Sequence, residues 1–310
     1  MRVFKGLTNL PKFKNAVMTI GTYDGVHVGH QVIIQRINEL ANEVNGESVL
    51  LTFDPHPKLV LHPNIDLKLI SSIEEKISLF ETFGLDNLVI TPFSKDFAST
   101  EAEDYVRDIL VKYFSPAVIV IGYDHKFGKG RKGDIHLLRE LGPKYHFRVE
   151  EIPAQTIDEI SVSSTKVRKA LLDGDIQTAN TMLAHPFSMT GIVIDGNKLG
   201  RTLGFPTANM RIDETHKLIP PDGVYAVWVE LDGKRYKGAL SIGRRPTILK
   251  HGELRVEVYI LHFNREIYGE EIKVIFQDFI RKDMKFNSTD ELIEQMEMDV
   301  EQIDELLDNP

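Results

Sequence analysis

The chain contains no cysteine. That removes disulfides, zinc–thiolate centres, iron–sulfur clusters and cysteine nucleophiles together. No stretch is long and apolar enough to span a membrane. The opening MRVFKGLTNLPKFKN carries basic residues without an apolar leader core, so a secretory signal is not expected and a cytoplasmic location is. Positive charge is scarce: 37 Lys and Arg against 46 Asp and Glu give a formal net charge of -9. That balance argues against a broad nucleic-acid-binding surface and leaves room for a local basic pocket.

What is present falls into two halves. A length of 310 residues suits two ordinary domains, and 42% apolar content suits real cores. In the first half strand-like runs alternate with helical patterns. The expected strands are AVMTIG (16–21), SVLLTF (48–53), NLVITPF (87–93), AVIVIGY (117–123) and HFRVEEIP (146–153). Their apolar centres fit strands covered on both faces. Helical patterns lie at about 30–45, 72–83, 101–114 and 133–141. This order predicts an α/β fold with an open, mostly parallel sheet, whose ligands collect beyond the strands' C-terminal ends. Two short helices follow, over 163–174 and 175–185, and the domain boundary is expected near residue 184.

The second half reads as short strands between turns: TGIVIDG, GVYAVWVELDG, KRYKGALSIG, RVEVYILHF and EEIKVIFQDFI. Asp232-Gly233 marks a hairpin, and closure into a small antiparallel barrel would protect the sheet edges. From Thr289 onwards the pattern is helical. Ile293, Met296, Val300, Ile303 and Leu307 form one apolar stripe, expected to pack against the barrel.

The turn after the first expected strand reads GTYDGVHVGHQ. Gly21, Gly25 and Gly29 let the backbone bend and approach a ligand. A helix start offers free N–H groups and a positive dipole end to an anion. His27 and His30, three apart, face one region if they already form a helical turn. Neutral imidazole can donate to a phosphate oxygen, and imidazolium can offset charge on a leaving group. A tight strand–helix turn with two surface histidines is the plainer alternative. The turn carries no GxGxxG fingerprint, and the chain has no GxxxxGK[ST] loop.

Three more segments fall at or beyond strand ends. TFDPHP (52–57) offers Phe53 to a flat ligand. GYDHKFGKGRKGD (122–134) gathers Lys126, Lys129, Arg131 and Lys132 among glycines. SVSSTKVRKAL (161–171) sets Ser163, Ser164 and Thr165 at a helix start, before Lys166 and Arg168. One of those hydroxyls could simply cap the helix. Together the loops point to a polyphosphate site with an aromatic neighbour.

In the second half, DGNKLGRTLGFPTANM (195–210) supplies Gly196, Gly200 and Gly204 for close approach, with Lys198 and Arg201 for charge. After Pro206, Thr207 and Asn209 sit two apart, so an extended segment aims both at one oxygen-rich ligand. SIGRRPT (241–247) is a second Gly- and Arg-bearing turn. Glu257 lies on an expected strand; near a nucleotide it could deprotonate a hydroxyl.

These motifs, in this order and over nearly the whole chain, resemble those of prokaryotic bifunctional riboflavin kinase/FMN adenylyltransferases (FAD synthetases). The resemblance implies a Rossmann-like HxGH nucleotidyltransferase domain over 1–184 and a riboflavin-kinase-type barrel with a terminal helix over 185–310. It implies ATP and Mg²⁺ as cofactors, riboflavin and FMN as substrates and FAD as product, with no nucleic-acid or membrane partner. In the first domain it implies His27, His30 and Arg168 in catalysis. Gly21, Tyr23, Asp24, Gly29, Phe53, Asp124, Ser164 and Thr165 would bind nucleotide or flavin. In the second it implies Glu257 as general base and Thr207 and Asn209 as the Mg²⁺ and phosphate ligands. Gly196, Lys198, Gly200, Arg201, Gly204, Pro206 and Arg281 would line the ligand, and 279–286 with the terminal helix would shape its flavin side. Four positions depart from the family pattern. Tyr23 and His125 stand where Phe is usual, Ser241 where Asn is frequent, and His262 where Asp is frequent. Loss of one activity, and a non-catalytic flavin or nucleotide sensor, are the competing readings. Intact His27, His30 and Glu257 weigh against the sensor.

Overall fold

Apolar residues on both faces of a strand must both be covered, and the first half does this with helices around one sheet. The computed structural model describes residues 1–152, 162–196, 199–244 and 254–308, with the backbone only for Leu199 and Arg201. Six strands form the sheet: β1 (Arg2–Lys5), β2 (Val17–Ile20), β3 (Ser48–Asp54), β4 (Asn87–Pro92), β5 (Val118–Gly122) and β6 (Arg148–Ile152). Their order is β1-β4-β3-β2-β5-β6, and every neighbouring pair is parallel. Alternate residues supply two cores. Met18, Ile20, Val49, Leu51, Val89, Ile119 and Ile121 belong to one. Val17, Leu50, Leu88, Ile90, Val118 and Val120 belong to the other, under Ile34, Ile37 and Leu40 of the helix Val28–Glu43.

The edge strand β1 was not among the expected strands. Its RVFK is mostly exposed, so it lacks the apolar run of a covered strand, and it is held by pairing from Arg2 opposite Asn87 to Lys5 opposite Ile90. The sheet order reverses at β2, which has β3 on one side and β5 on the other. Connections leave β2 and β5 in opposite directions, and the crevice at their C-terminal ends is where such sheets bind ligands.

The second half closes a barrel in the order β10-β11-β8-β7-β12-β9. Its strands are β7 (Ser188–Ile194), β8 (Thr207–Arg211), β9 (Gly223–Leu231), β10 (Lys234–Arg244), β11 (Leu254–Ile260) and β12 (Glu271–Arg281). Every ladder is antiparallel, so no edge is left open. Val227, Val229, Leu240, Val256, Val258 and Phe276 are fully or almost fully buried. The terminal helix Thr289–Asp308 packs on the outside: Ile303 and Leu307 cluster with Ala226, Trp228 and Ala239.

By contact density the chain divides into two units, Met1–Ser164 and Thr165–Pro310. The helices Ser164–Leu172 and Ile176–Leu183 precede the barrel. The second is tied to it by Asn180, whose Nδ2 donates to the Phe276 carbonyl (2.9 Å) and whose Oδ1 accepts from the Phe187 amide (2.7 Å).

Phe276 packs against Phe187 and Tyr225, each at 5.3 Å between ring centres. Truncation there leaves a large void, so Phe276→Ala is expected to destabilise the second unit by about 3–5 kcal/mol. Urea unfolding followed through the fluorescence of Trp228, the chain's single tryptophan, measures it.

Candidate active sites

In the first unit β2 ends at Ile20 and the helix begins at Val28, and the intervening turn is bent tightly. Gly25 adopts φ +82°, where glycine is at ease. Tyr23 (φ 51°) and Val26 (φ 42°) share the left-handed region, which is strained for a β-branched side chain. The Val26 amide donates to the Tyr23 carbonyl (3.1 Å), and Gln31 Nε2 donates to the Val26 carbonyl (2.8 Å).

This turn stacks the two histidines. The His27 and His30 rings lie 3.7 Å apart and 16° from parallel, with Tyr23 4.8 Å behind His30. Nδ1 of each imidazole is buried without a hydrogen-bond partner. Burial pushes His27 down to about 4, against the pull of Asp24. His30 is held well below its usual range by burial, then by His27 and by Lys76. Both rings are therefore neutral at pH 7, and of the two chemistries open to them hydrogen bonding is the one available before a ligand arrives. His27 is the N-cap of the helix, makes no capping bond, and no acidic residue follows in the first turn. Nothing acidic in that turn competes with an anion for the positive end of the dipole.

Other expected residues gather here in supporting parts. Asp24 Oδ1 accepts from the amides of Ile70 (2.9 Å) and Ser71 (3.2 Å), which anchors the turn from behind. Ser164 Oγ donates to the Asp24 carbonyl (2.9 Å). Tyr23 OH shares a hydrogen bond with Thr19 Oγ1 (2.7 Å) and faces the core. Gly29 is buried in the first helical turn, and a Cβ on Gly21 would lie 2.8 Å from the Tyr23 ring. Phe53 is buried in an aromatic row, 5.5 Å from Phe93 and 5.7 Å from Phe97. The row continues through Tyr105 and Phe127 to His125, whose buried Nε2 has no partner and whose basicity burial lowers to about 4. Asp124 is exposed beyond β5. Thr165 and Arg168 follow Ser164 in the helix Ser164–Leu172 and belong to the second unit.

The basic loop after β5 is less free than its composition suggests. Lys126 pairs with Asp134 (3.0 Å) and Lys129 with Glu101 (2.7 Å). Its GKGRKG run has GxGxxG spacing, which the sequence reading passed over, but the outer glycines serve packing. A Cβ on Gly128 would lie 2.7 Å from Ala102, and one on Gly133 2.4 Å from Phe127. Sequence reasoning also missed Lys76. It is 7% exposed, its Nζ donates to the Thr22 carbonyl (3.1 Å), and its charge is faced by Asp24 and Asp54. The available signal was a cation near the start of a helix capped by the Ser72–Glu75 box, where the dipole disfavours it.

The second site lies on the outside of the barrel. Along β11 Val256, Val258 and Ile260 point into the core, so Arg255, Glu257 and Tyr259 face outward. Cross-strand register sets Ser241, Glu257 and Asn209 side by side on β10, β11 and β8. They line a cavity of about 260 Å³ together with Thr207, Gly200 and Arg255. Thr207 Oγ1 donates to Glu257 Oε2 (3.3 Å), and Arg255 Nη1 lies 3.4 Å from Glu257 Oε1. Arg255 is the second residue that sequence reasoning missed; its place two before Glu257 on a strand was the signal. A Cβ on Gly196 would sit 2.2 Å from the Asn209 carboxamide, so this glycine lets Asn209 hold its place. Gly204, at φ +90°, turns the loop towards Pro206. Lys198 and the 245–247 part of SIGRRPT lie outside the described residues, as does the Arg201 side chain.

The far wall of the cavity is the terminal helix and the segment before it. Leu292, Met296, Val300 and Phe286 line it, together with Arg281 and Asp299. The expected apolar stripe therefore divides: Ile303 and Leu307 pack as core, whereas Met296 and Val300 face the cavity. Arg281 was expected to bind ligand, but its guanidinium is bonded to Asp299. The donors on the strand side are hard oxygens, Thr207 hydroxyl and Asn209 carbonyl beside the Glu257 carboxylate, a set that suits Mg²⁺ shared with substrate phosphates.

Comparison with known proteins gives each unit a counterpart. The family model for FAD synthetase matches residues 10–166, and that for riboflavin kinase matches residues 183–307. A bifunctional riboflavin kinase/FMN adenylyltransferase of Listeria monocytogenes is 38% identical, covering 92% of this chain and 90% of its own length. The protein of that name from Buchnera aphidicola is 36% identical, covering 97% of each chain. A solved structure from Streptococcus pneumoniae, named as a macrolide-efflux protein, is 32% identical, covers 97% of this chain and 98% of its own, and has a TM-score of 0.86.

The buried histidines make stability depend on pH. Their folded-state values lie below the usual 6.5, so the unfolded chain takes up protons first as pH falls. Stability is then full above 6.5 and declines towards about 4. Each histidine is expected to contribute at most about 1.4 kcal/mol per pH unit in that window. Urea unfolding at pH 7 and pH 5.5 checks it, and His27→Gln is expected to lessen the difference.

Proposed function

The chain belongs to the bifunctional riboflavin kinase/FMN adenylyltransferase family, and from that premise we propose which residues carry its two reactions. It phosphorylates riboflavin to FMN and adenylylates FMN to FAD, with the adenylyltransferase module first and the kinase module second. The observation that carries the residue assignment is that each unit holds one converging site and matches the corresponding family model.

At the first site the FMN phosphate oxygen attacks the α-phosphorus of ATP, and pyrophosphate leaves as the new P–O bond forms. No covalent enzyme intermediate is involved, so the protein's task is alignment and charge stabilisation. The ATP phosphates sit at the start of the helix Val28–Glu43, beside His27 and His30. The partnerless Nδ1 atoms support this reading, since two buried polar atoms on stacked rings await a hydrogen-bonding ligand. Binding of a polyanion raises the basicity of the rings, so a proton taken there stabilises the departing pyrophosphate. Ser164, which ends the same unit, donates to the Asp24 carbonyl beside this turn and is assigned to the same phosphates. Asp24 and Tyr23 keep the turn in shape, and Phe53 with Asp124 borders the nucleotide and flavin.

At the second site the Glu257 carboxylate accepts the proton of the terminal ribityl hydroxyl, whose oxygen attacks the γ-phosphorus of ATP; ADP leaves. Thr207 and Asn209 hold Mg²⁺ and phosphate oxygens, and the metal shields phosphate charge when bound. Arg255 holds the Glu257 side chain in place. Gly196, Lys198, Gly200, Arg201, Gly204 and Pro206 form the loop that lies against the nucleotide. Both reactions take place in the cytoplasm, where ATP is abundant. Among the described residues no helix is long and apolar enough to cross a membrane.

Purified protein with riboflavin, ATP and Mg²⁺ is expected to form FMN and then FAD, separated by chromatography. Glu257→Gln is expected to lower FMN formation by about 10²-fold or more while supplied FMN is still converted to FAD. His30→Ala is expected to let FMN accumulate with little FAD. Equal loss of both steps in either folded variant would contradict the division of labour.

A further inference from the structure

Arg281 closes β12 and lines the kinase cavity, where a lone guanidinium would suit a phosphate. Its bonds say otherwise. Nε donates to Asp299 Oδ1 (2.8 Å) and Oδ2 (3.0 Å), and Nη2 donates to Asp299 Oδ2 (2.7 Å). That uses the bidentate edge with which arginine grips an oxyanion. Nη1 donates to the Lys282 carbonyl (3.1 Å), and the guanidinium lies 5.9 Å from the centre of the Phe286 ring. Asp299 is 5% exposed and also accepts from Gln295 Nε2 (2.9 Å).

One guanidinium thus joins three pieces: the end of a barrel strand, the segment leading to Phe286, and the middle of the terminal helix. The far end of that segment is fixed too, since the Asn287 amide donates to Glu291 Oε2 (2.9 Å) and the Glu291 amide to Ser288 Oγ (3.2 Å). These pieces carry the helix-side apolar wall of the cavity, Phe286, Leu292, Met296 and Val300, which faces further apolar lining on the barrel such as Val224 and Ala239. The opposite wall, with Thr207, Asn209 and Glu257, stands on β8 and β11 and does not need the clamp. Gly200 lies on that opposite side, where a Cβ would be 3.4 Å from Thr207 Oγ1, so the close backbone approach that suits phosphates is there. The apolar wall is left for the ring system of the second substrate.

We propose that Arg281, through its pair with Asp299, is a positioning residue that sets the apolar wall for the riboflavin ring and does not bind nucleotide phosphate. This rests on the kinase reading of the cavity. Breaking either partner strands a buried charge and frees the helix and the Phe286 segment to shift, while Thr207, Asn209 and Glu257 keep their strand register.

Steady-state kinetics of FMN formation and fluorescence titration with riboflavin test it, using the full chain as wild type, Arg281→Ala, Arg281→Lys and Asp299→Asn. Arg281→Ala and Asp299→Asn are expected to raise the riboflavin KM and Kd alike, by about ten- to a hundredfold, because a shift of about 1 Å suffices for that. The ATP KM is expected to stay within about twofold, and Arg281→Lys to fall between wild type and Arg281→Ala. The double variant Arg281→Ala/Asp299→Asn is expected to match the single ones, since one interaction is lost once. The proposal is overturned if the ATP KM rises as much as the riboflavin KM. It is overturned equally if riboflavin affinity is unchanged, or if Asp299→Asn tightens nucleotide binding by releasing the guanidinium. Trp228 fluorescence on urea unfolding reports whether the barrel is folded; if Arg281→Ala is not, Arg281→Lys and Asp299→Asn carry the test. A wild type that forms no FMN would instead overturn the kinase reading itself.

Discussion

Two imidazoles held 3.7 Å apart in a buried turn cannot both carry charge, and much of the first unit follows from keeping them there. Like charges at that distance in a poorly solvated place repel strongly, and burial alone already favours the neutral form. The turn that imposes the distance is itself strained: Tyr23 and Val26 hold left-handed backbone that costs of order 1–3 kcal/mol per residue. It persists because its surroundings over-determine it. The Asp24 carboxylate is tied to the amides of Ile70 and Ser71, Lys76 to the Thr22 carbonyl, and Gln31 to the Val26 carbonyl. The parallel sheet then sets this turn beside the crevice between β2 and β5, where the strand order reverses.

The second unit solves a different problem by strand alternation. A closed barrel this small fills its interior with side chains, which leaves no room for a ligand inside. Alternate residues of β11 therefore divide between core and site: Val256, Val258 and Ile260 inward, Arg255, Glu257 and Tyr259 outward. A flat outer face needs a lid to become a cavity. The terminal helix supplies it, seated on the barrel by Ile303 and Leu307 and presenting Met296 and Val300 to the ligand space. One helix face thus serves as core at one end and binding wall at the other.

Much of this was legible in the sequence, for local reasons. Continuous apolar runs between helical patterns, and short strands broken by turns such as Asp232-Gly233, act over a few residues, so the parallel sheet and the barrel could be read directly. His27 with His30, and Thr207 with Asn209, were legible because helix and strand spacing fix which neighbours share a face. What escaped depends on partners far along the chain. Asp24 and Arg281 were expected at the ligands, and the Ile70 and Ser71 amides that hold Asp24 and the Asp299 carboxylate that holds Arg281 carry no local signal. Lys76 and Arg255 have no motif of their own and matter only through Thr22 and Glu257. β1 escaped because an exposed edge strand carries no apolar signature. The left-handed Val26 was hidden for a related reason, as tertiary packing overrides what its side chain prefers.

The neutral, stacked histidine pair is the central claim, and ¹⁵N NMR of histidine-labelled protein at pH 7 tests it most directly. Without nucleotide, His27 and His30, assigned by single substitution, should both give the widely separated nitrogen shifts of a neutral ring. Addition of ATP and Mg²⁺ should move the resonances of both. An imidazolium signature in either ring before nucleotide is added, or resonances that ignore ATP, would contradict the account.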